Sequence, residues 1–340
     1  TSGAGNTAIG YEALSTEDTG GGNTAIGYQV MKLNDRDASD AGNTAVGYQA
    51  GTAFTSIQRC TVIGYQALSS ATGGVNNNVV IGWKAGLSIN ANDSTNNVII
   101  GKEAGTGGAG KFQSNVVIGE DAMNSTGTQQ QIGTVAIGRS ALTALTSGTE
   151  NTAVGYQSGK SVTTGTKNTF IGYDAGNQAD DDGNNTFVGR AAGYHVKSDE
   201  NVFIGADAGY GAQDSTTGSQ NTVVGYRAMY NHTTANKNVV VGDQALQLLT
   251  TGNNNVSVGM RASQYNIVGS NTVHIGTEAG RYATGSANIF IGTNAGRGGT
   301  QTAPYSSGTG NVAVGHNALV NFTTGEDNTA VGYQAGDAVT

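Results

Sequence analysis

The side chains best suited to specific contacts in this chain are aromatic rings that recur one position after a repeated glycine. In five consecutive copies of the repeat these rings are Tyr11, Tyr28, Tyr48, Tyr65 and Trp83. Later copies carry Tyr156, Tyr173, Tyr226 and Tyr333 at the same place. If the copies stack, the first five rings form an exposed ladder that could hold the sugar rings of a glycan. The same rings could instead pack at a corner of the fold or against another subunit, because aromatic side chains contribute strongly to both.

Acidic loops are a second candidate, because clustered carboxylate oxygens are the ligands that Ca²⁺ prefers. One loop spans residues 35–40 and contains three aspartates, and another contains Asp180, Asp181 and Asp182. Neither loop has the spacing of an EF-hand, and the G-G-x-G-x-D calcium-binding repeat is absent from the sequence. We therefore expect solvated loops and no bound metal.

Residues for catalysis or for a cofactor are not grouped in the sequence. His195, His232, His274 and His316 fall at different places in the repeat, and the single cysteine, Cys60, has no partner. No Ser/His/Asp set or carboxylate pair follows the repeat, and the glycine-rich strings do not open a helix after a strand, as nucleotide binding requires. We expect a semi-buried structural thiol at Cys60, no cofactor and no enzymatic activity.

The composition excludes several classes of protein and raises a question about the core. Of the 340 residues, 55 are glycine and one is proline, only 12% are charged, and the net charge is −8. Collagen needs glycine at every third residue, and long coiled coils need more charge and leucine. The acidic balance argues against nucleic acid as a partner, and no apolar stretch approaches the ~18 residues of a membrane span. A chain with so few large apolar residues must build its core in an unusual way.

An internal repeat answers that question. The motif N-[TV]-x-[IV]-G-x-x-A-[GLM] occurs 19 times with few departures, and its first and last glycines lie 322 residues apart, or about 18 residues per step. These glycines, each defined as position 0 of its copy, are Gly10, Gly27, Gly47, Gly64, Gly82, Gly101, Gly119, Gly138, Gly155, Gly172, Gly189, Gly205, Gly225, Gly242, Gly259, Gly276, Gly292, Gly315 and Gly332. Position −1 is Ile or Val in all copies, position −3 is Thr, Val or Ile, position −4 is mostly Asn, and position +3 is mostly Ala.

The fixed part of the motif predicts a short β-strand, since it is β-branched, has an apolar period of two, and is bounded by Asn and Gly. Such strands, recurring without an intervening helix, favour an all-β parallel β-solenoid over residues 1–340, with one coil per repeat. We expect positions −1 and −3 to point into the coil and the glycine to form a tight corner. The alanine at +3 should point inward, and the asparagines should bond to turns or to one another as a ladder.

Position −2 predicts contact between chains. It is expected to face away from the coil, yet it is apolar in most copies, as in Val62, Ile99 and Phe187. A strand that is apolar on both faces is buried on both faces, and nothing else in the chain is predicted to cover the second face. We infer that another copy covers it, in a homotrimer about a threefold axis. The alternative is an exposed strip, because alanine at this position is small.

The repeat resembles two kinds of fibre sequence. Residues 23–29 (N-T-A-I-G-Y-Q) and 43–49 (N-T-A-V-G-Y-Q) resemble the N-T-A-I-G-Y-Q-A-L repeats of phage tail fibres and related surface fibres. The motif is also similar to the S-V-A-I-G-x-x-S head repeats of YadA-like trimeric autotransporter adhesins, although that repeat is shorter and lacks long variable loops. The resemblance covers essentially the whole chain, and it implies a left-handed parallel β-roll that trimerises into a rigid stalk or head.

From the repeat and the resemblance we expect an extracellular structural protein, a fibre or stalk segment of a virion tail fibre or a cell surface. It would form a rigid trimeric rod that presents a binding tip. The alternatives are an adhesin head that binds cell-surface glycans, a host receptor or matrix protein along its side, and a filament subunit that stacks end to end. Because neither terminus shows a capping element, we expect a segment of a longer fibre or such a stacking unit.

Two further expectations concern the surface. Ice binding is a weaker alternative, because threonine recurs at −3 but is expected to face inward there and is replaced by valine in many copies. If the rod binds a ligand along its side, the long loops are the first place to expect it. The longest loop lies between Gly292 and Gly315 and contains the single proline, Pro304.

Overall fold

The chain folds as the predicted parallel β-solenoid, with about 18 turns where the 19 copies of the repeat predict about 19 coils. The computed structural model describes residues 3–16, 20–33, 41–55, 57–89, 93–108, 110–125, 127, 129–212, 216–299 and 301–339, and within these residues the structure is all-β without a helix. The chain divides into two compact units, a first unit of Thr1–Asn168 and a second unit of Thr169–Thr340. Each unit is a stack of coils, and each coil contributes one three-residue strand at positions −3 to −1.

Among its described residues, the first unit contains nine motif strands and two shorter strands that lie in loops. In chain order these are β1 (Thr7–Ile9), β2 (Thr24–Ile26), β3 (Thr44–Val46), β4 (Thr61–Ile63), β5 (Val79–Ile81), β6 (Val98–Ile100), β7 (Phe112–Gln113), β8 (Val116–Ile118), β9 (Gln131–Ile132), β10 (Val135–Ile137) and β11 (Thr152–Val154). The short strands β7 and β9 pair with each other in parallel.

The described part of the second unit contains ten motif strands. In chain order these are β12 (Thr169–Ile171), β13 (Thr186–Val188), β14 (Val202–Ile204), β15 (Thr222–Val224), β16 (Val239–Val241), β17 (Val256–Val258), β18 (Val273–Ile275), β19 (Ile289–Ile291), β20 (Val312–Val314) and β21 (Thr329–Val331). Isolated parallel bridges join Val196 to Thr216 and Ala283 to Ser306 in the loops.

Consecutive coils within a unit are in strict register. In β16 and β17, Val239 lies opposite Val256, and Val241 lies opposite Val258. The backbone continues this pairing beyond the strand, where the N–H of Gly259 donates to the carbonyl of Val241 at 2.8 Å. The backbone N–H and C=O groups of each coil therefore find their hydrogen-bond partners in the neighbouring coils. They are satisfied without a large apolar core around them.

The strand side chains point in the direction opposite to the prediction. Position −2 is buried in every copy but the first, whereas positions −3 and −1 lie on the outer surface. In β16, Val240 is fully buried, while Val239 and Val241 are 42% and 38% exposed. Since alternate strand residues face opposite sides, the narrow interior receives only the central residue of each strand. The two β-branched neighbours are left outside.

Each coil has a small core formed by positions −2, +4 and +7, whose sizes compensate. Where position −2 is Phe170, position +4 is Gly176, and a Cβ on that glycine would lie 2.7 Å from the phenyl ring. Where position −2 is Ala136, positions +4 and +7 are Leu142 and Leu145, all fully buried. Further pairs of a ring with a glycine are Phe187 with Gly193, Phe203 with Gly209, His274 with Gly280, and Phe290 with Gly296. Volume is thus conserved within a coil, as close packing requires.

The corner glycines lie where one coil passes closest to the next. All 19 have a φ between +128° and +142°, a conformation that residues with a side chain avoid. A Cβ on Gly205 would lie 2.6 Å from the carbonyl oxygen of Gly225 in the adjacent coil. The backbone of each coil therefore occupies the space that a side chain on the preceding corner would need.

The asparagines at position −4 form a ladder along each unit. The Oδ1 of Asn238 accepts the backbone N–H of Asn255 at 2.9 Å, and its Nδ2 donates to the carbonyl of Gly252 at 3.1 Å. Asn221 bonds in the same way to Asn238 and to Ala235. One amide therefore binds both the next asparagine and the loop that leads to it, which fixes the start of each strand.

Replacement of a corner glycine by alanine is expected to unfold the coils around it. Gly205→Ala introduces a backbone strain and an overlap with Gly225, so we expect the free energy of unfolding to fall by more than ~3 kcal/mol. Gly332→Ala is the matched control, because its φ is also +131° and its Cβ would meet only Ala335, at 3.9 Å. Chemical denaturation followed by circular dichroism measures both losses. Equal losses would contradict a role for the contact between coils.

The size compensation inside a coil predicts that two harmful substitutions rescue each other. Phe170→Ala leaves a cavity that is expected to cost about 3–5 kcal/mol, and Gly176→Leu overlaps the ring of Phe170. The double variant reproduces the pair found at Ala136 and Leu142, so we expect it to be more stable than either single variant. A double-mutant cycle based on chemical denaturation measures this coupling. Additive losses would contradict the compensation.

Candidate functional site

The first unit carries a column of stacked aromatic rings immediately after its corner glycines. Tyr11, Tyr28, Tyr48, Tyr65 and Trp83 lie nearly parallel, with successive ring centroids 5.2, 5.0, 5.0 and 6.3 Å apart. Every ring of this aromatic column is at least 40% exposed. The chain turns at the glycine, so the residue at position +1 lies just after the corner. Because the strands are in register, these residues lie one above another in successive coils.

A column of polar side chains at position +2 runs beside the aromatic column. The Nε2 of Gln29 donates to the Oε2 of Glu12 at 2.8 Å, and Gln49 donates to Gln29 and Gln66 to Gln49, both at 2.9 Å. The ammonium group of Lys32 lies 2.6 Å from Glu12 and, as the main cause, lowers the pKa of that carboxyl. These bonds hold the amides in one orientation along the surface.

The stacking limits what the aromatic column can do chemically. Tyr28, Tyr48 and Tyr65 each have a ring against both faces. Trp83 stacks on Tyr65, and Lys84 lies 4.4 Å from its ring centroid. A sugar therefore finds no open face on the inner rings and would meet their edges and hydroxyl groups, together with the amides beside them.

A second group of tyrosines lies in the second unit and is not anticipated by the sequence analysis. Tyr194, Tyr210 and Tyr230 at position +5 stack with centroids 5.3 and 4.9 Å apart. The carboxylate of Asp207, at +2 of the middle coil, lies 2.6 Å from Arg190. An alignment of the copies at +5 would reveal this group, because its members belong to three consecutive repeats.

The acidic loops provide no metal site among the described residues. Residues 35–40 lie outside the described ranges, so the structure gives no account of that loop. Burial, followed by the negative charges of Asp199, Asp181 and Asp180, raises the pKa of Asp182 to about 6. In the described ranges, no three His, Cys, Asp or Glu side chains are placed to hold a metal ion. The same part of the chain contains no helix long and apolar enough to cross a membrane.

Cys60 occupies the place of an asparagine in the −4 ladder. Its backbone N–H donates to the Oδ1 of Asn43 at 3.0 Å, and its Sγ accepts the N–H of Asn78 at 3.5 Å and donates to the carbonyl of Val75 at 3.3 Å. Burial raises the pKa of the thiol to about 11. The thiolate needed for reaction is therefore scarce, and Cys60 is fully buried where the sequence predicts a semi-buried structural thiol.

Two histidines belong to the coil cores of the second unit. His232 occupies position +7 with its Nδ1 3.1 Å from the carbonyl oxygen of Met229, and burial lowers its pKa to about 4. His274 occupies position −2, and burial lowers its pKa to about 3. Its Nδ1 lies 2.6 Å from the hydroxyl of Ser263, which lies 2.6 Å from that of Ser257. The interior of this unit thus includes a row of three polar side chains linked by hydrogen bonds.

The other two histidines of the same unit contact tyrosine rings, and His195 is buried whereas His316 is exposed. The Nδ1 of His195 is 2.8 Å from the Oε1 of Gln178, and the ring meets Tyr194 and Tyr210 edge-on. His316 is exposed and stacks on Tyr333 with centroids 5.4 Å apart. Both rings therefore extend the aromatic contacts between neighbouring coils.

The threonine column at position −3 faces outward. The repeat predicts that these threonines face inward, and that direction is one of the two reasons given above against ice binding. Thr24, Thr44 and Thr61 follow one another in register and are partly exposed. Val79 and Val98 continue the column. The predicted inward direction of these threonines is therefore wrong, and the replacement of threonine by valine remains the reason against a flat threonine array.

The surfaces of the two units offer stacked rings, amides and ion pairs arranged in columns along the coils. Such groups recognise ligands by contact and hydrogen bonding, and their spacing follows the repeat. Comparison of the chain with protein-family models, with curated proteins and with solved structures found no match.

The buried histidines predict a loss of stability below pH 6.5. His232 and His274 bind protons readily only when the chain unfolds, where their pKa is near 6.5. Between pH 6.5 and about 4, each should therefore lower the free energy of unfolding by up to about 1.4 kcal/mol per pH unit. Thermal denaturation between pH 4.5 and 7.5 measures the trend.

A double variant isolates this effect from other titrating groups. His232→Phe/His274→Phe keeps an aromatic ring in each core position and removes both titrating groups, so its stability should depend less on pH. Asp182 acts in the opposite direction, because its raised pKa means that the folded state gains a proton first as the pH falls through about 6. This contribution cancels in the difference between the two proteins. Parallel profiles would contradict the prediction.

Proposed function

We propose that the chain is a structural segment of an extracellular fibre, in which copies associate side by side into a rigid trimeric rod. The observation that carries the proposal is an apolar column along the outer face of each unit, formed by position −1. Ile or Val occupies this position in all 19 copies, and none of these side chains is fully buried. This column of position −1 side chains is called the outer column below. It is the most strictly apolar position of the repeat, and yet its side chains contact solvent.

Exposure of such a column by a monomer is unfavourable. Val241, Ile275 and Ile291 in the second unit are 38%, 37% and 38% exposed. Position −3 adds Val239 and Ile289 to the same face. Contiguous apolar patches of this kind are uncommon on monomers and mark sites of association. The sequence predicts that a second copy covers position −2. In the structure the face left to be covered by a second copy is the opposite one, formed by positions −1 and −3.

A second copy of the chain is the occupant that fits the outer column best. Within each unit the column repeats once per coil in register, and another copy presents branched side chains at the same interval. Parallel association would bury the columns of all copies at once, as in a closed symmetric oligomer. The resemblance to trimeric fibre repeats supports a threefold arrangement and an extracellular location on a virion or a cell.

The construction of each coil also favours a role as a stiff support. Strands, corners and asparagines are bonded to the next coil, so bending would strain many hydrogen bonds together. The described side chains show surface columns rather than a deep catalytic cleft. A rod that holds a binding tip away from its base uses these properties directly.

Side-by-side association is tested by the mass of the protein in solution. The wild type is expected to sediment as a trimer, and Val241→Lys/Ile275→Lys is expected to shift the protein towards monomers, because charges in the outer column would resist burial. Met260→Lys is the control, since Met260 is 43% exposed at position +1, outside the column. Circular dichroism checks that the variants fold.

Two outcomes would contradict parts of the proposal. A wild-type protein that stays monomeric at all concentrations would contradict the formation of a trimer. Electron micrographs in which rods lengthen with concentration would favour the alternative of a filament subunit that stacks end to end. Both measurements use the full chain.

A further inference from the structure

The longest inserted loop of the repeat folds back onto earlier coils of the second unit. The backbone N–H of Ser306 donates to the carbonyl of Tyr282 at 3.0 Å, and Ser306 forms a parallel bridge with Ala283. The preceding residue, Tyr305, is thereby placed with its ring centroid 5.1 Å from that of Tyr265. Tyr265 in turn stacks on Tyr282 at 5.0 Å. The insertion thus completes a cluster of three tyrosines that the regular repeat would not form.

Three arginines surround one carboxylate beside these tyrosines. Glu278 lies 2.7 Å from the Nη1 of Arg281, 3.3 Å from the Nε of Arg297 and 3.8 Å from the Nη1 of Arg261. Three guanidinium groups and one carboxylate leave an excess of two positive charges, on a chain whose net charge is −8. The group formed by these four residues is called the arginine cluster below.

Other ion pairs in the described residues are closer to balance. Asp207 is flanked by two arginines, Arg190 and Arg227, which leaves one excess charge. Glu12 has one cationic partner, Lys32. The arginine cluster therefore holds more positive charge than is needed to neutralise its own carboxylate.

The arginine cluster is held in place by its neighbours. The Nε of Arg281 donates to the Oε1 of Gln264 at 3.0 Å, and its guanidinium carbon lies 5.0 Å from the ring centroid of Tyr282. Arg297 lies over the same ring at 5.6 Å. The arginine side chains are 15–38% exposed. Their positions are fixed before any ligand arrives, and part of each remains open to solvent.

The arginines have more donors than the protein uses. A guanidinium group carries five N–H donors, so three groups carry fifteen, whereas a carboxylate offers about four acceptor sites. Arginine forks match the geometry of carboxylate and phosphate groups, and a sulfate group has the same tetrahedral arrangement of oxygens as a phosphate. The amide of Gln264 also bonds to Gln244 and Gln247 at 2.9 and 3.0 Å, which places further hydrogen-bonding groups beside the cluster.

We propose that the arginine cluster and the adjoining tyrosines bind an acidic carbohydrate, one that carries carboxylate or sulfate groups. The arginines would bind the anionic groups, the amides would bind hydroxyl groups, and the ring of Tyr305 would contact the apolar side of a sugar. The net negative charge of the chain disfavours a long nucleic acid, whereas a short acidic sugar meets only the local positive charge. The proposed site lies on the surface of the second unit, and binding there does not depend on the oligomeric state of the protein.

Calorimetric titration of the full chain tests the assignment with four probes. These are a sulfated hexasaccharide, a carboxylated hexasaccharide of uronic acid, neutral maltohexaose and inorganic sulfate. We expect at least one acidic hexasaccharide to bind at least tenfold more tightly than maltohexaose and inorganic sulfate, with an affinity that falls as salt is added. Equal affinity for inorganic sulfate would leave only an anion site and would overturn the sugar assignment.

Two double variants locate the site. Arg261→Ala/Arg297→Ala is expected to weaken binding at least tenfold. Lys102→Ala/Arg139→Ala is the control, since it removes the same charge from two exposed side chains around Glu120 and should change binding less than twofold. Equal losses in both variants would overturn the site, because they would show that overall charge attracts the ligand.

A single substitution tests the inserted loop. Tyr305→Ala is expected to weaken binding about threefold or more without changing the thermal unfolding of the protein. An unchanged affinity would overturn the part given to this loop. Each result is independent of the sedimentation experiment, so a monomeric protein that binds the acidic sugar would contradict the trimer alone.

Discussion

The close approach of successive corners is the constraint on which the rest of this structure depends. Parallel strands lie about 4.8 Å apart, and at the corner that spacing leaves no room for a Cβ between two backbones. Gly205 shows the limit, because an added Cβ would lie 2.6 Å from the carbonyl oxygen of Gly225. Since every coil must turn at its glycine, the strands stay in register even though the loops between them differ in length.

Because the coils are in register, a residue type that recurs at one position of the repeat forms a continuous column along the surface or the interior of a unit. An asparagine at −4 becomes a ladder, a tyrosine at +1 becomes an aromatic column, and a branched residue at −1 becomes an apolar column. Departures from the repeat act in the opposite way and create local features. Tyr305 is such a case, because only an inserted loop could bring it to Tyr265, and it lies beside the excess charge around Glu278.

The sequence predicts the fold well because the repeat restricts each residue type to one structural role. The solenoid, the corner glycines, the inward alanines and the asparagine ladder follow from chemistry that a single copy already contains. The direction of the strand side chains does not, since a period of two shows that −3 and −1 share a face without showing which face. The deciding information lies in turn positions, where Gly176 leaves space for Phe170 and Leu142 fills the space beside Ala136. The arginines around Glu278 stand at positions +2 and +5 of successive repeats, whereas Tyr305 meets Tyr265 through the path of an inserted loop, which no periodic pattern contains.

The compensation between positions −2 and +4 has a consequence for how such a chain can evolve. Because Phe170 and Gly176 balance each other within one repeat, a whole repeat carries its own packing solution when it is copied or lost. Unequal recombination between repeats of a gene would then change the number of coils while leaving each remaining interior filled. Length can thus vary between generations through a single genetic event, whereas a conventional globular core would need many matched substitutions to accept an insertion of about 18 residues.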